Sequence, residues 1–95
     1  MIIVNVTYTM KEGVRAADFL HELENTGLAP YCRTERGNHA YQYHCADDRH
    51  LYLLEKWDDE ECLAAHMATE NFARISRLTE QYAADMDLRK VDTAV

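Results

Sequence analysis

The sequence has little proline, little glycine and few basic residues, and each scarcity excludes a class of protein. One Pro and three Gly in 95 residues argue against a disordered chain or a long linker. Ten Lys and Arg against 17 Asp and Glu give a formal net charge of −7. This charge argues against a nucleic-acid partner, because phosphate binding needs clustered cations. No apolar run approaches the roughly 18 residues of a transmembrane helix, so we expect no membrane partner.

Paired cysteine and histidine motifs are also missing. The three Cys, at positions 32, 45 and 62, are odd in number and form no C-x-x-C pair, which predicts a reduced, cytoplasmic protein. None of the five His has a recognised ligand spacing to a second metal-binding residue, so we predict no metal site. Met1 to Tyr8 is apolar without a basic leader or a cleavage site, which predicts a strand rather than a signal peptide.

Hydrophobic periodicity predicts one α+β domain over residues 1–95. Two apolar helical stripes alternate with strands in the order β-α-β-β-α-β, and Pro30 is expected to stop the first helix. This order is that of a ferredoxin-like sandwich, with an antiparallel four-stranded sheet and helices on one face. The predicted strands are Ile2–Tyr8, Asn38–Cys45, His50–Trp57 and Met86–Val91. The first predicted helix is Val14–Leu28. The second helical segment begins at an N-cap, Asp58, restarts at a second N-cap, Thr69, and ends at about Tyr82, and a short tail begins at Asp92.

The face of the sheet turned away from the helices has no cover within the chain. Strand alternation places Tyr52, Leu54, Met86 and Leu88 there, which makes that face partly apolar. A chain this short has no spare element to cover it. A homodimer that packs sheet against sheet is therefore the economical solution.

The third strand and the helix after it carry the most informative residues. Glu55 and Trp57 share one face of the strand. His66 lies on the following helix, at a position where the helix can place it close to both residues. A carboxylate on a buried face needs a partner, and His66 or Arg89 could supply it. A Glu55–His66 pair would tune the imidazole as a base, and a purely structural pair would look the same.

Polar and aromatic residues on the first two strands are the candidates for substrate binding. Asn5 is polar on a strand face that we expect to be buried. His39, Tyr41 and Tyr43 share one face of the second strand. They line a cavity with Glu55 if that face is the helix side, and make dimer contacts if it is the other side.

The block from Leu53 to Phe72, with Glu55-x-Trp57 and then His66 nine residues after the Trp, resembles the antibiotic biosynthesis monooxygenase-like domain. The resemblance covers nearly the whole chain. It implies a dimeric α/β barrel with a cavity between sheet and helices in each subunit. The small quinol monooxygenases of this family use neither metal nor flavin, so no cofactor is implied. Their substrate, a quinol or polyphenol, is deprotonated and itself delivers an electron to molecular oxygen.

By this resemblance, His66, Glu55 and Trp57 are the predicted catalytic residues, and a small aromatic or quinone-like molecule is the predicted substrate. A non-catalytic dimeric domain on the same scaffold stays open, and so do two functional alternatives. One is an isomerase or small-ligand-binding protein, in which His66 and Glu55 move protons without oxygen chemistry. The other is a haem-degrading monooxygenase, in which Asn5 and Trp57 could fill two of the expected roles.

Overall fold

The computed structural model describes residues 1–93, so the last two residues of the predicted domain and tail lie outside the described part. Four strands form one sheet and four helices cover one of its faces. The strands are β1 (Ile2–Met10), β2 (Asn38–Cys45), β3 (His50–Trp57) and β4 (Ala83–Asp92), and the helices are α1 (Ala16–Asn25), α2 (Leu28–Arg33), α3 (Glu60–Met67) and α4 (Glu70–Tyr82).

The sheet has the strand order β2-β3-β1-β4, and every neighbouring pair is antiparallel. The α+β class and the ferredoxin-like sheet predicted from the sequence are therefore confirmed. Strict alternation on β1 sends five side chains into the core beneath the helices, because successive residues of a strand point to opposite faces. These core residues of β1 are Ile2, Val4, Val6, Tyr8 and Met10.

The first helical segment is two helices, where the periodicity predicted one. Gly27 adopts a left-handed conformation, with φ of 86°, which ends the run and lets a second short helix begin. Pro30 lies in the first turn of α2 rather than stopping a helix, because the first amides of a helix need no intrahelical acceptor. The buried face of α1 is Ala16, Phe19 and Leu23.

The predicted break between two later helices is confirmed. The Thr69 hydroxyl accepts from the Phe72 amide at 3.0 Å and caps α4. The cap of α3 is Asp59, whose carboxylate accepts from the Cys62 amide at 2.9 Å, so the prediction of Asp58 was wrong by one residue. Asp58 instead pairs with His39. His66 thus lies in the last turn of a capped helix that follows β3 almost directly.

The placement of Met86 and Leu88 on the uncovered face was wrong. In the β1–β4 register they pair with Tyr8 and Val6, and paired residues of antiparallel strands share a face. Both therefore point to the helix side, where they line a cavity and remain half exposed. The uncovered face keeps Tyr52 and Leu54, and β4 adds Val91 opposite Ile3.

Among the described residues, no helix combines the length and the apolar character that crossing a membrane requires. The three cysteines form no disulfide.

Candidate active site

The third strand presents Glu55 and Trp57 to the helices. Both lie on the core face of β3, since they are two residues apart, and Trp57 is fully buried. The indole Nε1–H donates to Glu55 Oε1 at 3.0 Å. This bond supplies part of what the buried carboxylate needs in place of water.

Helix α3 brings His66 over this pair. The imidazole is 2% exposed, and its ring centroid lies 4.7 Å from that of Trp57 and 5.2 Å from that of Phe72. Its Nε2 is 3.9 Å from Glu55 Oε1, which is beyond hydrogen-bond distance. Among residues 1–93 this nitrogen has no hydrogen-bond partner. The structure thus brings together the three residues predicted to be catalytic, and leaves His66 Nε2 without a hydrogen-bond partner among the described residues.

Glu35 is a fourth member of the cluster that the sequence did not indicate. It lies in the loop between α2 and β2, and its Oε1 is 2.7 Å from His66 Nδ1. Its side chain is only 11% exposed. In the sequence it is one acidic residue in a charged stretch, 31 positions before His66, and no motif links the two. Only the folded chain shows that His66 has a carboxylate on each side.

Burial sets the electrostatics of the site. It raises the pKa of Glu55 above the ordinary value, an effect that the Trp57 hydrogen bond and the nearby His66 oppose. Burial also raises the pKa values of Tyr8, Tyr41 and Tyr43 far above that of a free phenol. These tyrosines therefore remain neutral and serve as hydroxyl groups or aromatic walls, not as bases.

Two adjoining cavities open beside this cluster, between the sheet and α4, and α3 also lines the smaller one. Their volumes are about 350 Å³ and about 200 Å³. Glu55, Phe72 and Leu88 line both, so the carboxylate stands where they meet. His66 lines the smaller cavity and Tyr41 the larger one. The remaining walls are mostly apolar, which suits a small, flat, apolar ligand with few polar groups.

The four residues predicted to bind substrate separate into two groups. Tyr41 lies opposite Glu55 in the β2–β3 register, and its ring edge faces His66 and Tyr43. The helix side is therefore the correct choice for Tyr41 and Tyr43, but Tyr43 is not in the lining of either cavity, whereas Tyr41 lines the larger one. The hydroxyl of Tyr43 is buried without a partner among the described residues.

The other two residues lie away from the cavities. Asn5 is exposed on the uncovered face, so the expectation of a buried face was wrong for the single chain. His39 is exposed because the register of β2 shifts between Asn38 and Ala40, and such a bulge turns one side chain away from its expected face. Arg89, the other candidate partner of Glu55, sits opposite Asn5 and pairs with Asp87.

Cys32, Glu35 and His66 place one sulfur, one oxygen and one nitrogen within 4.8 Å of one another. Zn²⁺ binds all three types of donor atom, but it binds a cysteine sulfur only as the deprotonated thiolate. Burial raises the pKa of the Cys32 thiol to about 12, and the thiol donates to the Leu28 carbonyl at 3.4 Å. The donor chemistry therefore fits a hydrogen-bonded cluster better than a metal centre.

Comparison with known proteins supports this picture. A solved structure from Pseudomonas aeruginosa is 27% identical, with a TM-score of 0.82 over 99% of this chain and 94% of that one. A structure described as an antibiotic biosynthesis monooxygenase is 26% identical, with a TM-score of 0.82 over the full length of both chains. A Bacteroides thetaiotaomicron protein is also 26% identical, with a TM-score of 0.79 over 97% and 96% of the two chains.

No curated protein matches the sequence significantly. The sequence profile of the antibiotic biosynthesis monooxygenase family, in contrast, matches residues 1–78. This range includes Glu35, Glu55, Trp57 and His66, the buried polar cluster described above, and it ends within α4. The profile match and the shared fold agree with the resemblance noted in the sequence, and the chain belongs to the antibiotic biosynthesis monooxygenase family.

Proposed function

We propose that this protein is a cofactor-independent monooxygenase that oxidises a quinol-like or polyphenolic small molecule. The observation that carries the proposal is the buried, unpaired Nε2 of His66 beside Glu55, at a cavity with apolar walls. An acceptor nitrogen in that position could take the proton of a bound phenol. Family membership and similarity to a structure described as a monooxygenase support the same chemistry.

The proposed reaction converts a quinol and O₂ into a hydroxyquinone and water. His66 Nε2 accepts a phenolic proton, and the electron-rich ring transfers one electron to O₂. The two radicals combine to form a C–O bond, and the protonated His66 returns its proton to the peroxide. The resulting hydroperoxide loses water: its O–O bond breaks, the ring carbon gives up its hydrogen and becomes a carbonyl, and the product tautomerises to the hydroxyquinone. One oxygen atom enters the product and the other leaves as water, so atoms and electrons balance without a further reductant.

The chain's own contribution is to hold the ring and manage the proton. Phe72 and Leu88 line both cavities and would orient a flat ring against Glu55. Apolar walls exclude water, which strengthens electrostatic interactions inside and limits side reactions of a reactive intermediate. The Tyr41 phenol, held neutral by burial, offers a further hydrogen-bonding group at the same end of the larger cavity.

Oxygen consumption with a panel of substituted hydroquinones tests the proposal. We expect turnover by the wild type and a loss of about 10²- to 10⁴-fold in kcat for His66→Ala, the range for removal of a general base. His21→Ala is the matched control, because His21 is exposed on α1 and its ring forms a surface hydrogen bond with Asn25. Absence of turnover above the uncatalysed rate on every hydroquinone would refute the proposal.

A proton-transfer isomerase is the second candidate. Glu55 and His66 are two proton-exchanging groups 3.9 Å apart on one cavity, which is an arrangement that can remove a proton from one carbon and return it to another. Such an enzyme needs no oxygen. Conversion of a hydroxycarbonyl compound under anaerobic conditions, with no oxygen uptake on hydroquinones, would favour this candidate over the first.

A further inference from the structure

The loop between α2 and β2 holds Glu35 rigidly against the candidate catalytic histidine. Its amide donates to the Cys32 carbonyl at 3.2 Å, and its own carbonyl accepts from the Asn38 amide at 3.1 Å. The backbone on both sides of the residue is therefore fixed. The side chain points inward, away from the exposed charges of the same loop, and reaches His66 Nδ1 at 2.7 Å.

The chemistry of this contact determines which ring nitrogen carries the proton. An ionised carboxylate can only accept a hydrogen bond, so Nδ1 must be the donor. In a neutral imidazole the other nitrogen then has a free lone pair. That nitrogen is Nε2, which faces Glu55 and the smaller cavity and has no partner among the described residues.

We propose that Glu35 is a positioning residue, which fixes His66 as the Nδ1–H tautomer and aims the Nε2 lone pair at the cavity. The effect on the tautomer stands independently of any reaction, whereas the catalytic consequence rests on the proposed function above. Without Glu35, the ring would be free to carry its proton on Nε2, which is the form that free histidine favours. In that form His66 presents no free lone pair to the cavity.

Among the groups around His66, Glu35 is the one placed to select the tautomer of the imidazole. The ring is enclosed by Trp57, Tyr41 and Phe72, which contact its faces and edges. Glu55 is the other carboxylate nearby, but its Oε1 already accepts from Trp57 and lies 3.9 Å from Nε2. The 2.7 Å contact at Nδ1 therefore controls the ring's proton more strongly than the longer one at Nε2.

Nitrogen-15 NMR of the imidazole rings tests the first half of the proposal. The His66 signals are assigned by their loss in His66→Gln, and the tautomer is read from the Nδ1 and Nε2 chemical shifts at one pH. We expect the Nδ1–H form in the wild type and a shift toward Nε2–H in Glu35→Gln, whose amide can donate as well as accept. Glu35→Asp keeps the charge and should retain the wild-type tautomer in part.

Glu61→Gln is the matched control, because Glu61 is exposed and pairs with Arg36 at the surface. It should leave the His66 signals unchanged. An Nε2–H tautomer in the wild type would overturn the proposal, and so would an unchanged tautomer in Glu35→Gln. If Glu35→Gln fails to fold, Glu35→Asp and the wild-type tautomer still decide the question.

Steady-state kinetics on a hydroquinone that the wild type oxidises tests the second half. We expect Glu35→Gln to lower kcat by about 10²-fold or more with KM little changed, since the base is misaligned while the cavity walls remain. Equal kcat values for Glu35→Gln and the wild type would overturn the positioning role. The two proposals can also fail separately. If the tautomer changes in Glu35→Gln but neither the wild type nor any variant oxidises a hydroquinone, the proposed function is refuted and the tautomer assignment stands.

Discussion

At the scale of single residues, the site combines a buried carboxylate, whose burial is unfavourable in free energy, with neighbouring groups that offset this cost. Glu55 is a carboxylate that is 6% exposed, and a buried charge is unfavourable unless it is paired. Trp57 supplies one hydrogen bond, and His66 supplies a nearby group that can carry positive charge. A group held in this way is more typical of a functional site than of a packed core.

The raised pKa of Glu55 predicts that replacing it makes the protein more stable as well as less active. Because the folded-state pKa lies above the unfolded one, the folded state binds more protons between the two values, and Glu55 destabilises it as pH rises. Glu55→Gln keeps an acceptor for Trp57 and removes the charge. We expect urea unfolding to show a gain for this variant at pH 7 that shrinks toward pH 4.

Glu61→Gln again provides the control, since its exposed charge should give a small, nearly pH-independent change. A Glu55→Gln variant that is less stable than the wild type at pH 7 would contradict the reasoning, because it would show that the ionised carboxylate contributes net stabilisation. The same variant in the oxygen assay should lose activity, which separates a functional carboxylate from a structural one.

Individual residues also show what the sequence reveals and what it conceals. Glu55 and Trp57 could be assigned to one face because a strand alternates strictly, and His66 could be placed above them because a short turn leads into a helix. Glu35 could not, because a loop has no periodicity that fixes where a side chain points. His39 was misplaced because nothing in its sequence indicates the shift in register beside Asn38.

At the scale of elements, the turn into β2 sets how closely the loop that carries Glu35 approaches α3. Gly37 has φ of 79°, and a Cβ added there would lie 2.5 Å from Cys62 Sγ and 2.9 Å from its Cβ. The Gly37 carbonyl also accepts from the Asp58 amide at 2.9 Å. A glycine is thus required both by the backbone conformation and by the close approach of α3.

We therefore expect Gly37→Ala to be far more damaging than Gly13→Ala. Both residues have φ of 79°, so both variants should lose roughly 1–2 kcal/mol from the left-handed backbone. Only Gly37→Ala also meets Cys62, whereas nothing lies within 4 Å of a Cβ at Gly13. Overpacking of this kind costs about 1–3 kcal/mol more.

The difference between the two free energies of unfolding, measured by urea denaturation, isolates the clash from the backbone effect. Equal losses in the two variants would show that α3 moves away freely to accept the added methyl group. Gly37→Ala should also lower activity through the displaced Glu35, whereas Gly13→Ala should not, because Gly13 lies in the turn between β1 and α1.

Elements differ in how far their sequences determine them. β1 and β3 lie at the centre of the sheet, and their apolar alternation predicted both strands. The bounds of β3 were correct, whereas β1 continues two residues beyond the predicted end at Tyr8 and exposes the Asn5 face that was expected to be buried. β4 is an edge strand that is exposed along most of its length, so its polar and apolar residues do not reveal its inner face. That is why Met86 and Leu88 were placed on the wrong side, although the order of elements was correct.

At the scale of the whole molecule, the four helices leave one face of the sheet uncovered, and this face carries Tyr52 at 41% and Val91 at 54% exposure. Leu54 lies beside them in the sheet, half exposed. Polar and charged residues lie among them, because Asn5 and Arg89 are in register with Leu54. A partly apolar sheet face without a cover is typical of a surface that is covered by another protein. We propose that a second copy of the chain covers it, as the family resemblance implies, and that the cavities remain on the opposite side.

Charge introduced on this face should prevent the assembly. We expect light scattering after gel filtration to give twice the chain mass of 11.0 kDa for the wild type and the single mass for the double variant Tyr52→Glu, Val91→Asp. Two buried, unpaired carboxylates per protomer would cost several kcal/mol in a closed interface. Tyr31→Glu is the matched control, because Tyr31 is similarly exposed at 49% but lies on α2, among the helices. A monomeric wild type, or loss of the dimer in the Tyr31→Glu control, would show that this face is not the interface.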